Sequence, residues 1–177
     1  MGRVLRTVAS VAVAVVAVIA LLLFLQSRDK STVDNGTTQA QTSVGTVEPD
    51  QGNAHRKAPS GFQYASDPPT SGPHLPVKIP AAGSLSTDAL LHALELGDVV
   101  LVYGSTADGP VLAGLRDDVA GNDPALVGAG QAIVLDHRPG AAGVVALAWR
   151  RLLRVKAAND PRLREFAQSW LGHGASP

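Results

Sequence analysis

The sequence predicts an α/β (or α+β) domain: a small mixed sheet with helices, in the order α-β-α-β-β-α after a proline-rich loop, preceded by one transmembrane helix. Three observations lead there. The 177 residues divide into an apolar N-terminal run, a polar stretch and a remainder with alternating helical and strand patterns. The run 98–104 is apolar on both faces, which suits a central strand covered on each side. The chain also has no cysteine, so its core must form without disulfides or thiolate metal sites.

Residues 1–6 carry Arg3 and Arg6 and read as a short cytoplasmic N-terminus. Residues 7–26, "TVASVAVAVVAVIALLLFLQ", are uncharged and almost wholly apolar. At about 1.5 Å per residue they span about 30 Å, the thickness of a bilayer's hydrocarbon core. The excess of positive charge before the run favours an N-in, C-out signal anchor. A cleaved signal peptide is the competing reading, but the run is long for one and ends in "LLLFLQS" without a good small-x-small site. Either reading places the remainder outside the cytoplasm. The expected location is thus the cell membrane, single-pass, with the domain outside.

Residues 27–60 are rich in Ser, Thr, Gln, Asn, Gly and Asp and have no aromatic residue. Such a segment buries too little surface to offset chain entropy, and it reads as a flexible tether. The globular domain is expected over residues 61–177, with Phe62 and Tyr64 as its first aromatic anchors. From Gly61 onward there are nine Lys/Arg against eleven Asp/Glu, a balance that argues against nucleic acid as a partner.

The elements follow in order. "PPTSGPHLP" (68–76) has four prolines and a glycine and must be loop. "DALLHALEL" (88–96) has helical spacing, with Ser86 or Thr87 as cap and Gly97 as stop. "DVVLVYG" (98–104) is a continuous apolar strand. Pro110 suits a first helical turn, and Val111, Leu112, Leu115 and Val119 form a stripe behind it. "AIVLD" (132–136) is the next strand, and the helix between the two makes them parallel with a right-handed crossover. "VVALAWRRLLRV" (144–155) alternates, with Val145, Leu147, Trp149, Leu153 and Val155 on one face, and reads as one strand antiparallel to its predecessor. "DPRLREFAQSWLG" closes the chain as a helix capped by Asp160 and Pro161, with Leu163, Phe166 and Trp170 facing the core. With a further strand in front, this order would match the core of thioredoxin-like folds, an analogy of topology alone; without cysteine, the redox chemistry of that group is excluded.

The residues also resemble a bacterial family of membrane-anchored extracytoplasmic domains, catalogued as a domain of unknown function. "PPTSGPH" (68–74), "HALELG" (92–97) and "VVLVY" (99–103) match a family pattern that pairs P-P-T-S-G-P-H with H-x-L-E-H-G and a strand ending in an aromatic. "VVALAW" and the terminal helix extend the resemblance over about residues 52–172. His55 matches a histidine that the family tends to place before the proline loop. The family's histidines are candidate metal ligands. One position departs: Leu96 stands where the family has its second histidine, which would make a site here incomplete.

The residues themselves allow such a site. At about 100° per residue, Asp88, His92 and Glu95 fall within about 60° of one another on the helix. That wedge could be a plain solvated face. Joined to His74 and His55, it becomes a candidate metal site with ligands His74, His92, Glu95 and His55, and Asp88 as a further oxygen donor. Imidazole and carboxylate donors suit zinc or copper. A rigid loop favours a preformed site, which gives His74 its place in the set. His137, in a turn, and His173, in the tail, have no partner in the pattern.

Other chemistries lack support. There is no G-x-S-x-G elbow, so Ser71 near His74 is not evidence of a hydrolase, and there is no phosphate loop. No nucleophile or base stands out, so whether the domain is an enzyme is left open. Arg150, Arg151, Arg154 and Lys156 read as a solvated strand edge in preference to a lipid or polyanion site. Two readings follow: an anchored metal-binding domain, and a metal-free scaffold that uses the proline loop to contact an envelope protein partner.

Overall fold

A computed structural model describes residues 44–175. The expected cytoplasmic N-terminus, the membrane span over 7–26 and most of the tether lie outside the described residues. Among the described residues no helix is long and apolar enough to cross a membrane.

The elements are β1 (Thr46–Val47), β2 (Ala82–Gly83), α1 (Thr87–Leu96), β3 (Val99–Tyr103), α2 (Asp108–Val119), a 3-10 turn (Pro124–Leu126), β4 (Ile133–His137), β5 (Val144–Ala148), β6 (Arg151–Val155) and α3 (Pro161–Trp170). The six strands form one mixed sheet in the order β1-β6-β5-β3-β4-β2. β3 and β4 are parallel across α2, as the βαβ pattern predicts. β3 is central, and Val99 to Val102 are at most 2% exposed. Its alternate residues serve two cores. Val100 and Val102 join Leu90 and Leu94 of α1 on one face. Val99 and Leu101 join Leu112 of α2 with Leu163 and Phe166 of α3 on the other. The result is three layers: α1, then the sheet, then α2 with α3.

α1 forms where its sequence signals place it. Ser86 Oγ accepts the Ala89 N–H at 3.2 Å, and Gly97 ends the helix at φ 98°, the left-handed conformation that glycine adopts without steric cost. Leu90, Leu91 and Leu94 are fully buried, and each contributes about 1.5–3 kcal/mol by leaving water. This apolar anchoring fixes the opposite face, which bears His92 and Glu95. α3 is likewise capped by Asp160, with Pro161 in its first turn. In α2, Leu112 and Leu115 are buried but Val111 is 45% exposed, because it sits at the margin of the stripe.

Three expectations need correction. The run 144–155 is not one strand. It folds back at Trp149–Arg150, and β5 pairs antiparallel with β6, Ala148 opposite Arg151. The turn changes the facing parity: Leu147 lies opposite Leu152, so Leu153 and Val155 face the α2/α3 core while Val145, Leu147 and Trp149 face α1. Second, β5 pairs with β3, not with β4, because the short connection after β4 carries the chain across β3 to its free edge. The order after β2 is therefore α-β-α-β-β-β-α.

Third, residues 44–60 belong with the domain. β1 pairs antiparallel with β6, Trp170 Nε1 donates to Val44 O at 3.0 Å, and the described residues all fall in one compact unit. Backbone hydrogen bonds hold this segment, and its side chains are mostly exposed, so composition gave the wrong boundary.

Candidate metal centre

The proline loop is the foundation of the site. Every residue from Pro68 to His74 is buried. Buried backbone must find hydrogen-bond partners, and proline lightens that demand because it has no N–H. Several of the remaining groups find partners. Gly72 N donates to Gly52 O at 2.7 Å, His74 N to Ala54 O at 3.1 Å, and Arg150 N to Thr70 O at 3.0 Å. Ser71 Oγ donates to Pro49 O and accepts from Gln51 N. Tyr64 Oη donates to Pro73 O at 2.9 Å. Gly72 has φ 129°, and a β-carbon there would meet Tyr64 Cε1 at 2.9 Å.

These bonds lay residues 50–56 alongside the loop, with His55 bridged in parallel to His74. The far end of the loop is tied to α1: Asp88 Oδ1 accepts the Leu75 N–H at 3.0 Å. Three separate segments thus meet at the polar face of α1. His55 comes from the extended segment, His74 from the loop, and His92 and Glu95 from the helix. One ligand atom from each lies within 4.8 Å of all the others.

Glu95 Oε2 is the hub. It lies 2.7 Å from His55 Nε2, 3.0 Å from His74 Nε2 and 3.4 Å from His92 Nδ1. Tetrahedral zinc, with ligands at about 2.0–2.1 Å, separates its donors by about 3.4 Å. Side-chain movements of about an ångström would therefore bring all four atoms onto one ion. Asn53 Nδ2 donates to the other oxygen, Glu95 Oε1, at 3.1 Å. The His74 ring is fully buried, edge-on to Trp149 with centroids 6.5 Å apart. His55 is 49% exposed and opens the cluster to solvent.

The His74 ring fixes its own chemistry. Nδ1 lies 2.9 Å from Gly72 O. A carbonyl oxygen only accepts, so Nδ1 carries the proton, and in the neutral ring Nε2 presents a lone pair. That lone pair faces a carboxylate oxygen, another acceptor, at 3.0 Å. Two acceptors hold that distance only with a proton or a cation between them.

Burial pushes the Glu95 carboxyl upward, but the hydrogen bonds and charge of His55 and His74 outweigh it and hold the carboxyl below its ordinary 4.5. A depressed carboxylate stabilises the fold above its unfolded-state value, and that stabilisation disappears as pH falls through the folded-state value. We therefore expect metal-free protein to lose stability on acidification below about 4.5. Glu95→Gln should flatten this part of the profile, as read by thermal unfolding in EDTA.

All four predicted ligands come together. Asp88 does not join them, because its carboxylate is engaged with the loop. Ser71 is buried within the loop's hydrogen bonds. His137 Nε2 donates to Gly104 O at 3.2 Å, beside the Tyr103 ring, and His173 packs on Trp170. Sequence reasoning missed Asn53 and Trp149. A polar residue two before His55 was the only signal for Asn53.

Leu96 does not leave a gap. It is 41% exposed, and its Cδ1 lies towards Gly128, where a β-carbon would come within 3.7 Å of it. The cluster has four donors without position 96. We expect Leu96→His to leave zinc stoichiometry unchanged and to alter affinity by less than about threefold in competition titrations.

Comparison with known families matches residues 55–177 to a model described as a protein of unknown function, DUF3105. No curated protein and no solved structure matches the chain. The matched span begins at His55 and contains all four clustered residues.

Proposed function

The chain belongs to the DUF3105 family of proteins of unknown function, and on that premise we propose that it is a metal-binding domain held outside the cytoplasm by an N-terminal membrane anchor. The ligands are His55 Nε2, His74 Nε2, His92 Nδ1 and a Glu95 carboxylate oxygen. The ion is zinc or copper(II), which accept imidazole and carboxylate donors; the sulfur donors preferred by copper(I) are absent from the cluster. The apolar run over residues 7–26 and the arginines before it support the anchor and its orientation.

One observation carries the metal reading. With Nδ1 bonded to Gly72 O, the buried His74 ring holds Nε2 3.0 Å from the Glu95 carboxylate, a contact that either a proton or a shared cation completes. His55, half in solvent, gives that cation a way in and out. Three imidazoles with a carboxylate can hold an ion, exchange it, or present it to a small ligand.

The test is metal analysis of the full-length chain in detergent micelles, after exposure to zinc and to copper(II) and removal of the excess. The expected result is about one equivalent of one of these metals. Less than about a tenth of an equivalent of either would overturn the proposal and leave a metal-free scaffold of the envelope.

A further inference from the structure

A second feature lies beside the cluster. Asn53, Trp149, Arg150, Arg151 and Trp170 line a cleft of about 290 Å³, close to the lower bound of about 300 Å³ typical of small-molecule sites. Sequence patterning assigned both arginines to a solvated strand edge. Arg151 does not fit that description. Its Nη1 is buried and has no hydrogen-bond partner among the described residues, and its guanidinium lies over the Trp170 ring, 4.3 Å from the centroid. A buried guanidinium donor without an acceptor is costly. An arginine fork held against an aromatic plane is also well suited to bidentate recognition of carboxylate or phosphate. Arg150 stands next to it. Its contacts with Asp50 and with Glu48 O are each a long 3.5 Å, which leaves further guanidinium N–H groups for a ligand.

We infer that this cleft binds a small molecule bearing a carboxylate or phosphate group, with the oxyanion on Arg151 and Arg150 and the body of the ligand against Trp149 and Trp170. The site shares walls with the histidine cluster. Asn53 bonds Glu95, and Trp149 stands edge-on to His74. The inference does not depend on the metal reading, because no cleft contact it uses is a metal ligand.

The chain's two tryptophans both line the cleft, so intrinsic fluorescence reports on it directly. Metal-free full-length protein in micelles is titrated with inorganic phosphate and, separately, with benzoate, at ionic strength held constant with sodium chloride. The expected result is a saturable change in tryptophan emission with at least one probe, with a Kd of about 1 mM or tighter. Arg151→Met, which keeps the packed stem, should weaken it at least about tenfold. Selective response to phosphate would assign a phosphoryl ligand, and selective response to benzoate a carboxylate. Should Arg151→Met fail to fold, Arg150→Gln, at a more exposed position, should weaken binding at least about threefold. No saturable change with either probe, or unaltered affinity in the folded variant, would overturn the inference. Because the protein is metal-free throughout, that failure leaves the metal result untouched, and loss of the metal reading leaves this one standing.

Discussion

Replacing His74 with alanine will abolish tight metal binding and will also destabilise the metal-free protein by about 2–4 kcal/mol. Both effects come from one ring. Its Nε2 is the only donor of the cluster that belongs to a fully buried side chain. Its Nδ1–H satisfies the Gly72 carbonyl inside the buried loop. Alanine removes the ligand, strands that carbonyl and opens a cavity beside Trp149. His55→Ala separates the two effects. His55 is half exposed and, among the described residues, makes its only side-chain hydrogen bond with Glu95, so its loss should weaken metal affinity by at least about tenfold while changing apo stability by less than about 1 kcal/mol. Zinc titration and urea unfolding in EDTA read the two quantities independently. A His74→Ala protein that kept wild-type zinc affinity would remove the buried ring from the account.

Asp98→Ala will be the most damaging change away from the cluster, costing about 3–5 kcal/mol. Asp98 follows the Gly97 cap of α1 and is fully buried. Its Oδ2 accepts the Gly128 N–H at 2.6 Å and its Oδ1 the Ala132 N–H at 3.2 Å. One carboxylate thus closes the turn that feeds β4. Burial pushes its pKa up, and the backbone N–H groups around it only partly offset that. The sign is opposite to that of Glu95: the Asp98 contribution is present at low pH and is lost as pH rises through its folded-state value. Alanine leaves the turn's donors without an acceptor, whereas Asp98→Asn, which keeps one carbonyl oxygen, should recover about half of the loss. Thermal unfolding ranks the three proteins. The metal affinity of folded Asp98→Ala should match wild type, since Asp98 touches no ligand.

What could be read from the sequence was local. Ser86, the leucines of α1 and Gly97 specify that helix within a dozen residues, and the βαβ unit follows from two apolar runs around a capped helix. The β5–β6 hairpin escaped because its turn has neither glycine nor asparagine. Arg150 takes φ 58°, a left-handed conformation that costs a non-glycine residue about 1–2 kcal/mol. Nothing in "AWRRL" announces that the alternation breaks there. β1 escaped for another reason: two exposed residues on a sheet edge have no apolar pattern to detect. The same blindness placed His55 in a tether, although its backbone is bridged to His74.

The candidate site was legible as a list and not as a geometry. Spacing on α1 put His92 and Glu95 on one wedge, and the loop offered His74. Position 96 then looked like a missing ligand, because a helix wheel sees neither the extended segment that delivers His55 nor the direction of the Leu96 side chain. Asp88 looked equivalent to Glu95 on the wheel, and only the backbone of Leu75 distinguishes them. Arg151 belongs to the same class. Sequence shows a basic strand edge, while the fold brings it under Trp170 with a donor unspent.

X-ray absorption at the metal edge of the loaded full-length protein tests the central claim most directly. A single ion held by these four side chains predicts a nitrogen and oxygen shell at about 2.0–2.1 Å with the scattering signature of three imidazoles, falling to two in His92→Ala. A shell with one imidazole or none, or a wild-type spectrum in His92→Ala, would contradict it.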